Sequence, residues 1–520
     1  MPDYDAIVVG AGHNGLAAAT VLAKEGLKVL DLEKNTYVGG MAATRELFKG
    51  FKHNVGAWAF MVFSQQVMEA LELEKYGLEL IEPTTSFCNF GVPGENPFIL
   101  YNDPAKLMAH LQKDHGEDAM QGLAAVFEFC RPFAEVWNAT RFSPPVSIGA
   151  MLDAAPSLQA KDVLRKCFHA SAMDAVDECF PDPKKHKLIQ AMIAGMAVDG
   201  TSLGPYDPGT AFSLAYHLVP AGIGQFYKLA KGGMGMVSEA LKRSLEEKGG
   251  EVRLGSRVKR ILIENGKAVG VELRNNEKIT AKVVLSNLDA SATFMRLVGE
   301  DNLPADFVRM VRRIKCGAPF IQIHCTLKEL PEFAGDLAFA NKDNIGWLMC
   351  YNRGPEHYQQ CMDEIKWGRI PEDPMFTYYI PSVWDDSMAP PGYHTLTFFS
   401  FYFPVMAAGA QHDQLKEEVA DQMISQANKY APNLRDAIMD RVVFTPMHFE
   451  KMFGITNGDY THGLLIPGQM FDFRPVTGWS GYKTPVENLY LCGSACHPGP
   501  GVTAVPGYNS AHEVLKNWKK

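Results

Sequence analysis

No stretch of this 520-residue sequence stays apolar for the ~18 residues that a membrane-spanning helix requires. The densest run, Leu188-Ile-Gln-Ala-Met-Ile-Ala-Gly-Met-Ala-Val198, falls short and reads as a core or cavity-lining helix. Blocks of Lys and Arg are also missing. The 50 basic residues are outnumbered by 59 acidic ones, giving a net charge of −9, which argues against a nucleic-acid partner. Paired cysteine motifs are absent too. The ten cysteines are scattered, the nearest two being Cys492 and Cys496, and there is neither a C-x-x-C nor an H-E-x-x-H. No metal site is expected, and the cysteines read as reduced thiols. Internal repeats and low-complexity tracts are lacking. The first strand-like run begins at Tyr4, leaving no room for a cleavable leader. A cytoplasmic protein is expected, with peripheral attachment to a membrane left open.

What is present is 47% hydrophobic and 21% charged, at a length that accommodates two domains with sizeable cores. The chain is organised around residues 4–45. Tyr4-Asp-Ala-Ile-Val-Val9 reads as a buried strand and breaks at Gly10-Ala-Gly12-His13-Asn14-Gly15, a G-x-G-x-x-G turn. A helical run, Leu16–Ala23, stops at Gly26, and a second strand, Leu27–Leu32, ends at Glu33. Strand, glycine turn, helix and strand in this order form a dinucleotide-binding βαβ unit. Gly10 permits the tight turn, Gly12 lets the backbone approach a pyrophosphate, and Gly15 lets the helix pack near the sheet. The helix N-terminus at His13 and Asn14 offers free N–H groups and partial positive charge. Glu33, 18 residues past Gly15, stands where an acid binds ribose hydroxyls and disfavours a 2′-phosphate.

Gly39-Gly40-Met41-Ala-Ala-Thr44-Arg45 follows at once. Adjacent glycines allow a second close approach to a ligand, and Arg45 can neutralise phosphate. On these residues the chain resembles the flavin amine oxidase and phytoene desaturase superfamily, whose nucleotide is FAD. The paired glycines followed by Arg are that superfamily's extension of the dinucleotide motif, with Met41 standing where amine oxidases usually carry Arg. Gly50-Phe-Lys-His53-Asn-Val-Gly56 looks like its next landmark.

Further on, a helix is expected over residues 57–80, with Met61, Val67, Met68, Leu71 and Leu73 as apolar positions. Residues 85–225 are rich in Met and aromatics, with helices after Asp103-Pro104, over 118–138 and over 211–217. Lys231-Gly-Gly-Met-Gly235 opens a second informative stretch: a helix to Leu245, strands at 251–254 and 258–263, an Asn265-Gly266 hairpin turn, and strands at 268–273 and 281–285. Phe320–Leu327, Met375–Ile380 and His394–Phe403 read as strands whose Phe and Tyr residues would floor a nonpolar cavity. Residues 415–430 read as an amphipathic helix. A third glycine-rich stretch, Glu487–Gly501, has a strand ending at Gly493 and a turn into a helix at about Val505.

The resemblance implies an α/β fold: a Rossmann-type FAD-binding domain (GR2-like) from 1–80, 230–300 and 480–520, interleaved with an α+β substrate domain from 81–229 and 301–479 containing a large mixed or antiparallel sheet. It places the backbone of Val258 beside the adenine, Ser286 and Asn287 near the cofactor, and Gly493 to Val505 beside the flavin. Within the superfamily the chain is similar to the branch that includes carotenoid desaturases, carotenoid isomerases, retinol saturase and the pyridine nucleotide-disulphide oxidoreductase domain-containing protein 2 group. Pro390-Pro-Gly-Tyr-His394 and Gly468-Gln-Met-Phe-Asp-Phe-Arg-Pro475 look most like the last. The implied reaction is hydride transfer between a hydrophobic, isoprenoid or polycyclic substrate and flavin N5, with formation of a C=C bond and oxygen or a quinone as acceptor. A homo-oligomer is left open. His497, His462 and His53 are the candidate acid/base residues, because imidazole titrates near working pH. Tyr508 and Asn509 read as packing or flavin contacts. A double-bond isomerase or saturase, an amine or amino-acid oxidase, and a flavin-bound scaffold without turnover remain as alternatives.

Overall fold

Two seven-stranded sheets carry the architecture of this computed structural model, which describes residues 1–59, 62–180, 182, 184–221, 228–342, 345–350, 352–404 and 411–518. In the first sheet, β1 (Tyr4–Val9) lies between β2 (Val29–Leu32) and the strand Lys278–Ser286, parallel to both. Glu251–Arg253 extends the sheet beyond β2, and Leu489–Leu491 pairs in parallel with Lys278–Ser286. Three remote parts of the chain therefore meet around β1. Its alternation explains why the run is apolar throughout: Ala6 and Val8 face the helices α1 (His13–Lys24), Gly235–Glu247 and Val505–Trp518, while Ile7 and Val9 face the opposite core. The hairpin Val258–Glu264 and Lys267–Leu273 turns at Asn265 and Gly266, both with positive φ, as an Asn-Gly turn requires.

The second sheet runs Ile438–Phe444, Ile321–Leu327, His394–Ser400, Phe376–Tyr379, Trp347–Cys350, Thr85–Asn89, Phe98–Tyr101. All neighbours are antiparallel except Trp347–Cys350 with Thr85–Asn89, so the sheet is mixed. Ile323, Cys325, Phe376, Tyr378 and Phe398 pack beneath the helix His412–Ala427. Those Phe and Tyr side chains thus fill a closed core instead of flooring a cavity. In Ile321–Leu327 the alternate positions are polar, namely Gln322, His324 and Thr326. Gln322 clasps the hairpin of β3 (Ala42–Phe48) and β4 (Phe51–Gly56): its amide donates to the Gly56 carbonyl at 2.9 Å and accepts from the Gly56 N–H at 3.3 Å.

The outgoing Leu80–Ile81 and the returning Leu229–Ala230 pair antiparallel, with a helical block between them. There Lys187–Val198 is buried almost throughout, as its composition predicts. No helix among the described residues is long and apolar enough to cross a membrane. The helix expected over 57–80 is much shorter, Gln65–Ala70, capped by Ser64. Glu72 and Gly77 adopt positive φ, so Leu71 and Leu73 are buried from turns, not from a helix; Met61 lies outside the described residues.

The final helix meets α1 at very short range. A Cβ added to Gly507 would sit 1.9 Å from the Asn14 carbonyl oxygen. Gly507→Ala must push two buried helices apart, at a cost of about 1–3 kcal/mol. A lowered thermal unfolding midpoint by calorimetry is the expected outcome; an unchanged midpoint would show that the helices separate freely.

Candidate active site

The glycine turn after β1 is built from below by Asn287. Its side-chain amide donates to the Gly10 carbonyl at 2.8 Å, and its backbone N–H donates to the Val9 carbonyl. The same amide nitrogen would lie 2.9 Å from a Cβ at either Gly12 or Gly15, and a Cβ at Gly15 would also lie 2.1 Å from the Gly10 carbonyl oxygen. Asn287, expected near the cofactor, thus braces the turn that would hold it. Ser286 bonds the Thr293 hydroxyl at 2.7 Å and anchors the segment after its strand.

Gly39, at φ 111°, donates to the Ala11 carbonyl at 2.8 Å, and Gly40 follows with φ 56°. The paired glycines are therefore drawn onto the first turn. Glu33 is buried at the end of β2, where its carboxylate accepts the Ala11 N–H at 3.1 Å and the Asn35 N–H at 2.8 Å. Burial raises its pKa. The Ser256 N–H donates to the Glu33 carbonyl, which brings the start of Val258–Glu264 beside the acid. Arg45 stacks on Tyr37 at 3.7 Å and forms no ion pair among the described residues, so its charge is free to meet an anion. Met41 packs against Val55 and Phe320, and its carbonyl accepts the Ala57 N–H.

The C-terminal stretch closes over the turn. Asn14 donates to the Ser494 hydroxyl at 3.2 Å, and a Cβ at Gly493 would lie 2.6 Å from the Asn287 carbonyl oxygen. Arg474, which sequence reasoning missed, is fully enclosed. It donates to the carbonyls of Ser494, Gly463, Gln469 and Thr461. It rivets the loop carrying His462 to the Gly493–Ser494 turn. The Asp459 carboxylate holds that loop through the N–H groups of Thr461 and Gly463. His462, at φ 57°, lies close enough to His13 for its charge to disfavour one on His13.

His497 sits between Trp137 and Phe471, with ring centroids 6.4 Å from each. Its Nε2 lies 3.3 Å from the Thr140 carbonyl, which fixes Nε2 as the donor and leaves Nδ1 as the lone pair. Nearby, Val62, Trp137, Arg141, Tyr216, Thr503 and Val505 line a cleft at the N-terminus of the last helix. His53 lies elsewhere, edge-on to His324 at 5.3 Å, in the seam between β4 and the second sheet. His324 in turn bonds the Thr397 hydroxyl at 3.0 Å. Tyr508 packs edge-on against Phe142, while Asn509 donates to the Arg141 carbonyl and the Tyr482 hydroxyl.

The residues fit a dinucleotide. His13 Nε2, Asn14 Oδ1, His462 Nδ1 and His497 Nδ1 are buried and have no hydrogen-bond partner among the described residues. Each such group costs about 1–3 kcal/mol if left unmet. They cluster around two glycine turns and two helix N-termini that favour phosphate. Of the remaining groups, Arg474 and Gln322 gave no signal in sequence, because each acts on backbone outside its own element.

Burial holds His13 and His497 at about 4 and His53 at about 3, below the usual 6.5. The unfolded chain takes up these protons as pH falls through ~6.5, whereas the folded chain refuses them until ~4. Stability must therefore decline from pH 6.5 towards 4, by up to about 3 kcal/mol per ring. Unfolding midpoints measured across this range should fall with pH, and His497→Asn should flatten the slope. Identical profiles would show that His497 takes up its proton as readily in the folded chain as in the unfolded one.

The sequence matches the family model described as flavin containing amine oxidoreductase over residues 15–511. It is 30% identical to the pyridine nucleotide-disulfide oxidoreductase domain-containing protein 2 of Rattus norvegicus, over all of this chain and 94% of that protein. Identity to the chloroplastic prolycopene isomerase of Daucus carota is 28%, over 98% of this chain and 80% of the other. The fold matches the crystal structure of an oxidoreductase from Methanosarcina mazei with a TM-score of 0.64 at 16% identity, covering 98% of this chain and 100% of that one. With its glycine turns and unmet polar groups, the chain belongs to the flavin containing amine oxidoreductase family and is an FAD-dependent oxidoreductase.

Proposed function

We propose that the enzyme oxidises a hydrophobic, isoprenoid or polycyclic substrate to form a C=C bond, with oxygen or a quinone as the final acceptor. The observation that carries this reading is the enclosure of His497. Its neighbours Trp137 and Phe471 belong to an aromatic cluster with Phe133, Phe168, Phe212 and Tyr216. Such walls reject charged amines and exclude water. In this reading residues 1–80, 230–300 and 480–520 hold the cofactor, and 81–229 with 301–479 hold the substrate. The turn at Gly10, Gly12 and Gly15, with His13 and Asn14, holds the pyrophosphate, and Arg45 neutralises it. Glu33 binds the ribose, the backbone at Val258 borders the adenine, and Gly39, Gly40, Met41, Gly493 and Val505 approach the flavin end.

Bound FAD supplies the hydride-accepting chemistry. His497, held neutral by burial, accepts at Nδ1 the proton that leaves the neighbouring carbon, while Thr140 keeps its Nε2–H in place. His462 and His53 are the secondary candidates for moving a proton. A double-bond isomerase is a second reading, favoured by the likeness to the carrot prolycopene isomerase.

Anaerobic visible spectroscopy of the holoenzyme with terpenes, sterols, carotenoids and amines tests the proposal. Bleaching of the flavin band by an apolar compound, with recovery on adding oxygen or a quinone, is expected. Bleaching by amines alone would replace it with an amine oxidase. An unreduced flavin that supports isomerisation only after chemical reduction would establish the isomerase.

A further inference from the structure

Arg141 is a cation with no ion-pair partner among the described residues. It follows the helix Glu117–Thr140, donates its N–H to the Trp137 carbonyl at 2.9 Å, and has its own carbonyl held by Asn509 at 2.8 Å. The backbone is thus pinned on both sides. The half-buried guanidinium lies 5.2 Å from the Phe142 ring and borders a narrow crevice of about 10 Å³ with Val62, Trp137, Tyr216, Thr503 and Val505. Its Nε is buried and has no hydrogen-bond partner, and no carboxylate lies within ion-pair distance of it among the described residues. The other enclosed arginine near this site, Arg474, is satisfied by four carbonyls. An arginine Nε left unmet among Trp, Tyr and Val side chains belongs to a planar fork shaped for a carboxylate.

We propose that Arg141 anchors the carboxylate of the substrate, so that the compound oxidised is a hydrophobic acid and not a hydrocarbon. This rests on the desaturase reading above and names the substrate class within it. Two placements favour the substrate over the cofactor as the partner. Trp137 and Tyr216 come from helices Glu117–Thr140 and Thr210–Ala221, which lie in the substrate-side block, and Val505 already presents a helix N-terminus to the flavin end. In addition, His497 bonds the Thr140 carbonyl, one residue before Arg141. Anchor and base are therefore tied to the same helix end. The neighbouring Phe142 lines a separate cavity of about 490 Å³ with Tyr482 and His512.

The test is titration of the holoenzyme with farnesoic acid, farnesol and farnesene, which share one skeleton and differ in the end group, followed by flavin difference spectra. The acid is expected to bind about tenfold or more tightly than the hydrocarbon. Arg141→Gln should abolish that preference while leaving farnesene affinity, FAD content and flavin potential unchanged, and Arg141→Lys should retain part of it. Equal affinities in the native enzyme overturn the proposal, even if Arg141→Gln fails to fold. So does a preference that survives in Arg141→Gln, or a variant that shifts the flavin potential and leaves the preference intact. If farnesene binds as well as the acid, only the acid anchor fails. If none of the three perturbs the flavin, the hydrophobic-substrate reading fails with it.

Discussion

The contact on which the rest depends is the one between the Asn287 amide and the Gly10 carbonyl. It exists only because Lys278–Ser286 pairs in parallel with β1 and delivers Asn287 to the end of that strand. Once there, the amide occupies the space that side chains at residues 12 and 15 would need. The glycines are therefore demanded from beneath by protein as much as from above by a ligand. Gly493 repeats the device against the Asn287 carbonyl, and Gly507 against that of Asn14. Three distant parts of the chain converge on one turn with no slack, so packing precision and site precision are the same property.

Such convergence leaves polar groups stranded, and the enzyme resolves them in two ways. Arg474 shows the internal solution: a buried cation costs much to desolvate, but four carbonyls from separate loops solvate it and are locked together in return. His13, Asn14 and His462 show the other: each keeps a buried atom without a partner among the described residues, which a ligand would meet. Cofactor binding is then linked to folding, because a ligand that binds the folded chain alone stabilises it by mass action. Asp31 fits neither pattern. It is fully buried in β2 with neither carboxyl oxygen bonded, its pKa is raised by burial and by Glu33, and nothing in the structure explains it.

What could be read in the sequence was whatever rests on local periodicity or on backbone conformation. The βαβ unit, the Asn265-Gly266 hairpin and the helix starting at Val505 each carry their own signal within a few residues. The short helix Gln65–Ala70 was misread because its apolar spacing continues into turns that Glu72 and Gly77 impose. The partners of Gln322, Arg474 and Asn287 could not be read at all. Each bridges to backbone outside its own element, and for Gln322 and Asn287 that backbone lies more than 260 residues away along the chain. The aromatic strands were legible as strands, but not the face they present: alternation gives two faces, and only the position of the His412–Ala427 helix decides which is covered.

Polarity is divided unevenly between the two sides of the site, and that division constrains the chemistry. Histidines, an acid, an arginine and backbone donors gather where a dinucleotide would lie, whereas the cluster around Trp137 and Phe471 offers almost none. In such surroundings a protonated imidazole is poorly solvated, so His497 stays unprotonated through the neutral range, as the base proposed above must. The same desolvation means that a proton it accepts is held weakly and passes on readily. Shape alone discriminates poorly among apolar compounds, since one methylene is worth only about 1–3 kcal/mol. Selectivity must therefore rest on the few polar groups beside this apolar cluster, among them His497 and the guanidinium groups of Arg474 and Arg141.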